Sequence, residues 1–449
     1  MRIKDRKKHL SSFQIIVFGF LMVILLGSLL LMLPFSTKTP GGASFLDALF
    51  TATSSVCVTG LVVHDTATYW SVFGQSTILL LIQIGGMGVV TIAVLLAMVS
   101  GRKIGLMQRS TMQDAISAPQ VGGIVKLTHF ILKMTITIEL LGAAVMAPVF
   151  CKEFGFLKGI LYAIFHSISA FCNAGFDLMG VKEHFSSLTS YSGHPIINFA
   201  IMALIITGGI GFLTWEDMKA NKWNFRKYRM QSKVILVVTA GLIVIPALYF
   251  YIFEFSKPIW GNISTSERIL SSFFQAVTPR TAGFNTVDLT ALSESGQMIM
   301  IILMLIGGSP GSTAGGMKTT TIAVLIASSF AVFRRREDVN FFGRRLEDDA
   351  VKNAVTVLMM YLVLFLTGSI IISSMESISL LTSMFEAASA IGTVGLTLGI
   401  TPSLGVVSKI ILIMLMFFGR VGGLTLVFAA VSGIRHKVSR LPQEKITVG

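Results

Sequence analysis

One short stretch occurs four times in this chain, and any fold it adopts must treat the four copies as equivalents. The copies are 50–61 (FTATSSVCVTGL), 165–176 (FHSISAFCNAGF), 273–284 (FFQAVTPRTAGF) and 385–396 (FEAASAIGTVGL). In each, a Phe stands ten residues before a Gly, and Leu or Phe follows that Gly. The aligned glycines, Gly60, Gly175, Gly283 and Gly395, lie 115, 108 and 112 residues apart. A near-constant period of this kind means one structural unit used repeatedly. The unit reads as hydrophobic helix, re-entrant stretch, hydrophobic helix.

Composition says what surrounds these units. With 53% hydrophobic and 13% charged residues in 449, the chain is too apolar for an ordinary soluble protein. Several segments exceed the roughly 18 apolar residues that cross a bilayer core of about 30 Å. The first, 13–33, follows a basic stretch as a signal peptide would, but its length and the further spans after it mark it as retained. The expectation is a polytopic protein in the cell membrane, with lipid around it.

The net charge of +14 does not imply nucleic acid, because its distribution is that of a membrane topology. Segments 1–12, 101–126, 217–233, 334–352 and 435–449 hold 5, 4, 6, 6 and 4 Lys or Arg, against 1, 3, 3 and 0 in 34–73, 151–195, 255–295 and 375–404. Basic loops stay cytoplasmic, so both termini are expected inside, with an even number of spans. Cys57, Cys151 and Cys172 show no metal-ligand spacing and read as small packing residues. Asn262-Ile263-Ser264 matches a glycosylation sequon by pattern.

Taken in order, the chain gives an all-α membrane protein of four tandem repeats and eight spans around a pseudo-fourfold central pore. The repeats are 1–115, 116–225, 226–340 and 341–449. First spans are expected at 13–33, 125–150, 231–254 and 351–374, and short helices near 44–56 and 157–171, opening at Ser264, and at 378–391. Ser264 with Glu267 fits a capping box. Second spans are expected at 74–99, 195–214, from 295, and at 405–434, each carrying a Gly-Gly pair. Close helix packing accounts for the pairs at Gly85, Gly208 and Gly422.

The repeated stretch also points to a chemistry. Non-helical backbone at membrane depth survives only when buried or lining a wet cavity. Each copy follows the C-terminus of a short helix, whose dipole end favours a cation. A glycine at the narrowest point keeps side chains away, so backbone carbonyls can replace a cation's hydration shell. That suits a weakly hydrated monovalent cation. Arg280, three residues before Gly283, reads as a loop brace that donates to carbonyls.

These segments, Val58-Thr59-Gly60, Asn173-Ala174-Gly175, Thr281-Ala282-Gly283 and Thr393-Val394-Gly395, resemble the selectivity filters of the Trk/Ktr/HKT potassium transporters. The resemblance covers the whole chain and is nearest to the membrane subunit of bacterial Ktr systems. It implies potassium held at the filter carbonyls, with sodium as a second candidate ion. Gly60, where some plant relatives carry Ser, favours potassium. It further implies a homodimer seated on a cytosolic ring of nucleotide-binding regulatory subunits. No cofactor is expected on this chain itself, and any nucleotide belongs to the partner.

The third repeat has a further peculiarity. Its second helix runs into Gly307-Gly308-Ser309-Pro310-Gly311-Ser312-Thr313-Ala314-Gly315-Gly316-Met317-Lys318. Five glycines at about 1 kcal/mol each and a proline at about 3 kcal/mol make helix there roughly 8 kcal/mol worse than alanine. About twelve residues of preceding helix, rising about 18 Å, put the break somewhat past mid-membrane. A phosphate loop needs Lys where Met317 stands, and no strand precedes it. Lys318 and Arg420 are cations at similar depth, and Arg420 can fan its donors onto the loop's carbonyls. The resemblance makes this segment, with Arg420, the gate. Lys133 and Glu139 also fall within a span, without an evident partner. An enzyme is not expected: His166 is the sole histidine in a repeated stretch and has no companion at metal spacing.

Overall fold

A computed structural model describes residues 11–431, apart from 101–104, 117–121, 223 and 262, together with residue 444. The sequon at Asn262 and most of the basic segments 1–12 and 435–449 lie outside the described residues.

The chain is almost wholly helical, with one two-stranded hairpin, Asn340–Phe341 against Arg344–Arg345, among the described residues. Among the described residues, four helices are long and apolar enough to cross a membrane: Ser12–Leu31, Ile124–Phe154, Met230–Glu254 and Asp348–Glu376. Their outward faces carry large apolar side chains such as Met22, Leu140, Ile245 and Val363. Sustained apolar surface of that extent belongs against lipid, not water.

Each long helix is followed by a short one: Phe45–Cys57, Phe156–Phe171, Thr265–Val277 and Leu380–Gly392. Three of these begin on a serine N-cap. Ser44, Ser264 and Ser379 accept from the third backbone N–H beyond, at 3.2, 3.2 and 3.1 Å. The capping box at Ser264 is only half made, because the Glu267 carboxylate instead accepts from Ser192 Oγ at 2.5 Å. The second short helix needs no such cap. It turns off the preceding helix through Gly155, at φ +83°.

The inner helices depart from expectation. They were expected unbroken over 74–99, 195–214 and 405–434, and each is interrupted. Val72–Met87 and Pro195–Gly209 bend by 95° into the helices that follow, and Val406–Val421 gives way to Gly423–Val431. The joints are Gly88, Gly211 and Gly422 at φ +86°, +91° and +85°, a region glycine enters without the Cβ penalty. In the third copy, Glu294–Leu305 and Thr319–Phe333 are separated by the glycine-rich segment foreseen.

Close packing explains the preceding glycines, with one correction. A Cβ on Gly85 would come within 2.0 Å of Val56 O, and on Gly208 within 1.9 Å of Phe171 O, both at the ends of short helices. In the fourth copy that position is Gly419, 2.1 Å from Ile391 O, and Gly422 is the bend. The register in these three copies is therefore Gly85-Gly86, Gly208-Gly209 and Gly419-Arg420, while Gly307 packs against its own loop at Gly315 O. Cys57 and Cys172 are buried free thiols, as packing residues would be.

Candidate functional site: a ring of glycines over a folded loop

The four repeated stretches meet. Val58, Asn173, Thr281 and Thr393, the residue two before each glycine, all adopt the left-handed conformation, at φ +58°, +59°, +67° and +51°. Such φ values are uncommon outside glycine and cost of order 1–3 kcal/mol each, so the surroundings must enforce them. Gly60, Gly175, Gly283 and Gly395 follow at φ +95°, +70°, +78° and +95°. A Cβ on Gly60 would lie 2.5 Å from Ala174 O, on Gly175 2.7 Å from Ala282 O, on Gly283 2.3 Å from Val394 O, and on Gly395 2.2 Å from Thr59 O. The succession 60, 175, 283, 395 and back to 60 closes a ring in which each glycine abuts the next segment's carbonyl.

Hydrogen bonds fix these paths from behind. Gly60 and Gly395 donate N–H to Ser54 Oγ and Ser389 Oγ at 3.1 and 3.0 Å, while Ser169 Oγ donates to Phe176 O at 2.7 Å. The residue after each glycine, Leu61, Phe176, Phe284 or Leu396, is buried. The third copy slips by one position further upstream. Phe50, Phe165 and Phe385 are buried, whereas Phe273 is 42% exposed and Phe274 is 0% exposed in its place. The turn that follows accounts for the slip: Ala282 N–H donates four residues back, to Thr278 O at 2.9 Å, whereas Thr59, Ala174 and Val394 N–H reach five back, to Ser54, Ser169 and Ser389 O, and this short helix stops at Val277.

Arg280 is buried and its Nη2 donates to Thr239 Oγ1 at 3.2 Å, not to a carbonyl as expected. Its own carbonyl accepts from Asn173 Nδ2 at 3.2 Å, linking the second and third segments. Glu139 has the partner that sequence did not supply: Gln83 Nε2 donates to its carboxylate at 3.1 and 3.3 Å. Lys133 faces outward.

Directly beneath the ring lies 307–318, tied to three other parts of the chain. Ser309 and Thr313 donate N–H to Gly209 O and Gly208 O at 3.0 and 3.3 Å, and Gly316 to Gly419 O at 3.1 Å. Thr313 Oγ1 donates to Phe171 O at 3.0 Å, and Phe212 N–H to Gly311 O at 2.8 Å. A Cβ on Gly315 would sit 2.2 Å from Thr393 Oγ1, so the loop touches the start of a ring segment. Lys318 Nζ folds back on the loop and donates to Ala314 O at 2.8 Å. Arg420 donates to Thr313 O, as its donors suggested, and also to Gly85 O and, at 3.2 Å, Gly86 O. Beside the loop is a cavity of about 290 Å³, lined by Asp114, Ser312, Lys318 and Arg420 among others.

Several apolar helices, two bent helix pairs and a closed ring of backbone define a multi-pass membrane protein with a shared centre. The chain belongs to the family described as TrkH, cation transport protein, which matches residues 4–438. It is 39% identical over 452 residues to the potassium/sodium uptake protein NtpJ of Enterococcus hirae, covering 99% of each chain. It is also 39% identical over 437 residues to the Ktr system potassium uptake protein B of Bacillus subtilis, covering 97% of this chain and 96% of that one. The crystal structure of the potassium transporter TrkH from Vibrio parahaemolyticus aligns with a TM-score of 0.72 at 20% identity, over 95% of this chain and 86% of that one. These relatives are cation transporters, not enzymes.

Proposed function

We propose that this chain is the conducting membrane subunit of a potassium uptake system, passing potassium and, as the name of the Enterococcus hirae relative suggests, also sodium. In this reading the four repeats 1–115, 116–225, 226–340 and 341–449 surround one central pathway with eight spans. The ring segments, residues 58–60, 173–175, 281–283 and 393–395, form the filter. Residues 307–318 with Arg420 form the gate. The protein sits in the cell membrane with both termini in the cytoplasm. It works as a homodimer with a cytosolic nucleotide-binding ring, a partnership supported by the Ktr system names of its relatives.

The observation that carries the proposal is the closed glycine ring. Each short helix ends at the ring and turns its negative dipole end toward the centre. The glycines leave only backbone near the axis, so carbonyl oxygens substitute for water around a passing ion. A cation that sheds water easily gains most from that exchange. Below, the loop presents backbone in the path, and Arg420 pins it to the first repeat.

The test is potassium uptake by a transport-deficient cell expressing the chain alone and with its cytosolic partner. Purified protein in liposomes then gives the potassium/sodium preference. Potassium flux that rises with the partner supports the reading, and absence of any cation flux from folded protein overturns it.

A further inference from the structure

Phe50, Phe165, Phe274 and Phe385 are the buried phenylalanines of the four short helices, and the residue after each is also buried: Thr51, His166, Gln275 and Glu386. These side chains lie behind the ring, and they differ in every repeat. Two of them reach the segment that leaves the ring. His166 takes a hydrogen bond from Leu178 N–H at Nε2, 3.3 Å away, with its Nδ1 held against Tyr162 O at 2.7 Å. Glu386 accepts from Thr401 Oγ1 at 3.0 Å and from Thr397 Oγ1. Thr401 Oγ1 and Thr397 Oγ1 are 3.0 Å apart, and Gly399 N–H donates to Thr397 Oγ1 at 2.9 Å, so one carboxylate gathers the whole turn that follows Gly395.

Gln275 stands in the third repeat where Glu386 stands in the fourth. Thr286 lies three residues past Gly283, one position later than Thr397 past Gly395. Yet both amide atoms of Gln275 and the Thr286 hydroxyl are buried without a hydrogen-bond partner among the described residues. Buried polar atoms left unpaired weaken the segment that carries them. The same position therefore braces two repeats and leaves a third unbraced.

We infer that the residue after the buried phenylalanine positions the ring segment in the second and fourth repeats. Glu386 is the stronger of the two, and it sets the preference between potassium and sodium. The inference rests on the ring acting as the ion filter. Carbonyls can discriminate ions of different size only while their positions are held. The Glu386 carboxylate holds the fourth segment two to six residues past Gly395 without approaching the ion itself. The third segment, with Gln275 and Thr286 unpaired, lacks this brace and is held instead from the second repeat, where Ser187 Oγ accepts from Asn285 N–H at 3.2 Å.

The experiment uses full-length protein in liposomes, with potassium and sodium flux measured separately. Glu386→Gln keeps the volume and one acceptor oxygen but loses the charge that strengthens both bonds. Thr397→Val removes one donor to Glu386, together with the acceptor for Gly399 N–H and Thr401 Oγ1, and leaves Glu386 in place. Both are expected to lower the potassium/sodium flux ratio by about three- to tenfold while total cation flux persists. Gln275→Ala should leave the ratio within twofold of wild type, because no hydrogen bond is lost. Amide hydrogen exchange on wild-type protein, a readout independent of flux, should be faster at 284–287 than at 396–399. An unchanged ratio in Glu386→Gln and Thr397→Val, with wild type still preferring potassium, overturns the inference and leaves the proposed function standing. Wild-type protein without ion preference instead removes the reading beneath it. Equal exchange in the two segments also contradicts the inference.

Discussion

The ring and the layer beneath it are built on opposite plans. At the ring, four segments that differ in the two residues before the shared glycine adopt one conformation, with a left-handed residue two before a left-handed glycine in each. One layer below, the four copies diverge. Three inner helices bend at a single glycine, and the other unwinds over a loop that reaches back to its neighbours. Where two copies have Gly86 and Gly209, the fourth has Arg420, and its guanidinium bridges the loop to the first repeat. On the proposed function, an ion would meet the same surroundings from four sides at the ring, whereas the layer below is one-sided and would switch by moving one element. Discrimination and control are thus separable, and mutations can test that separation.

The largest effect is expected at the ring. Gly→Ser or Gly→Asp at position 60, 175, 283 or 395 puts a Cβ within 2.2–2.7 Å of a neighbouring carbonyl oxygen. It also forces a side chain into a backbone region costing of order 1–3 kcal/mol. Potassium preference should fall by about ten- to a hundredfold at any of the four, in the same direction though not equally. Ion-specific flux in liposomes measures it. Preference surviving all four substitutions would break the symmetric half of the comparison.

Next comes the one-sided layer. Arg420→Ala removes charge-assisted hydrogen bonds worth about 1.5–3 kcal/mol. Partner-free potassium flux should rise roughly ten- to a hundredfold, with ion preference intact. Deleting residues between Gly308 and Gly315 should act likewise. Flux remaining at the wild-type basal level in folded protein for both changes would remove the loop from its assigned role.

A smaller effect is expected at the bends. Gly88→Ala or Gly422→Ala should cost about 1–2 kcal/mol, because each glycine has a positive φ and open space where the Cβ would go. Thermal unfolding in detergent should show a lower midpoint, while ion preference stays as in wild type. A change in preference without a change in stability would mean that the bends act on the ring directly.

The smallest concerns the partner. Reversing charge at Arg334, Arg335 and Arg336 or at Arg344 should reduce co-purification of the cytosolic subunit while membrane insertion continues. Arg345 is a poorer choice, since it already pairs with Asp338 and Asp348 at 2.9 and 3.3 Å.

Repetition made the ring legible in the sequence. The short helices fall within two residues of their expected ends, because the recurring Phe and Gly fix a register that a single copy would not. The loop at 307–318 was legible because its helix penalties add up. The three bends were not, since a lone glycine costs a helix only about 1 kcal/mol and its φ cannot be read from composition. The shift from Phe273 to Phe274 was missed for a related reason. The turn after its helix closes one residue shorter, on Thr278 O, while alignment on Gly283 hides the displaced residue. Partners such as Gln83 for Glu139, or Gly85 for Arg420, come from other repeats and left no mark in local spacing.

Covalent chain joins the first repeat to the second, the second to the third, and the third to the fourth. The seam between fourth and first has no chain across it. Lys409 with Asp47 at 3.1 Å, Gln14 with Ala429 O at 3.2 Å, Arg420 with Gly85, and Gly395 against Thr59 close it. The hydrogen-bonded and ion-paired partners among these are 335 to 415 residues apart, so they are the last that a growing chain can make. Contacts of such separation are costly in chain entropy and slow to form. The circle therefore exists only after the final hundred residues are inserted. Until then the first three repeats wait as an open arc, with the unfinished edge of Gly60 facing the place that Gly395 will fill.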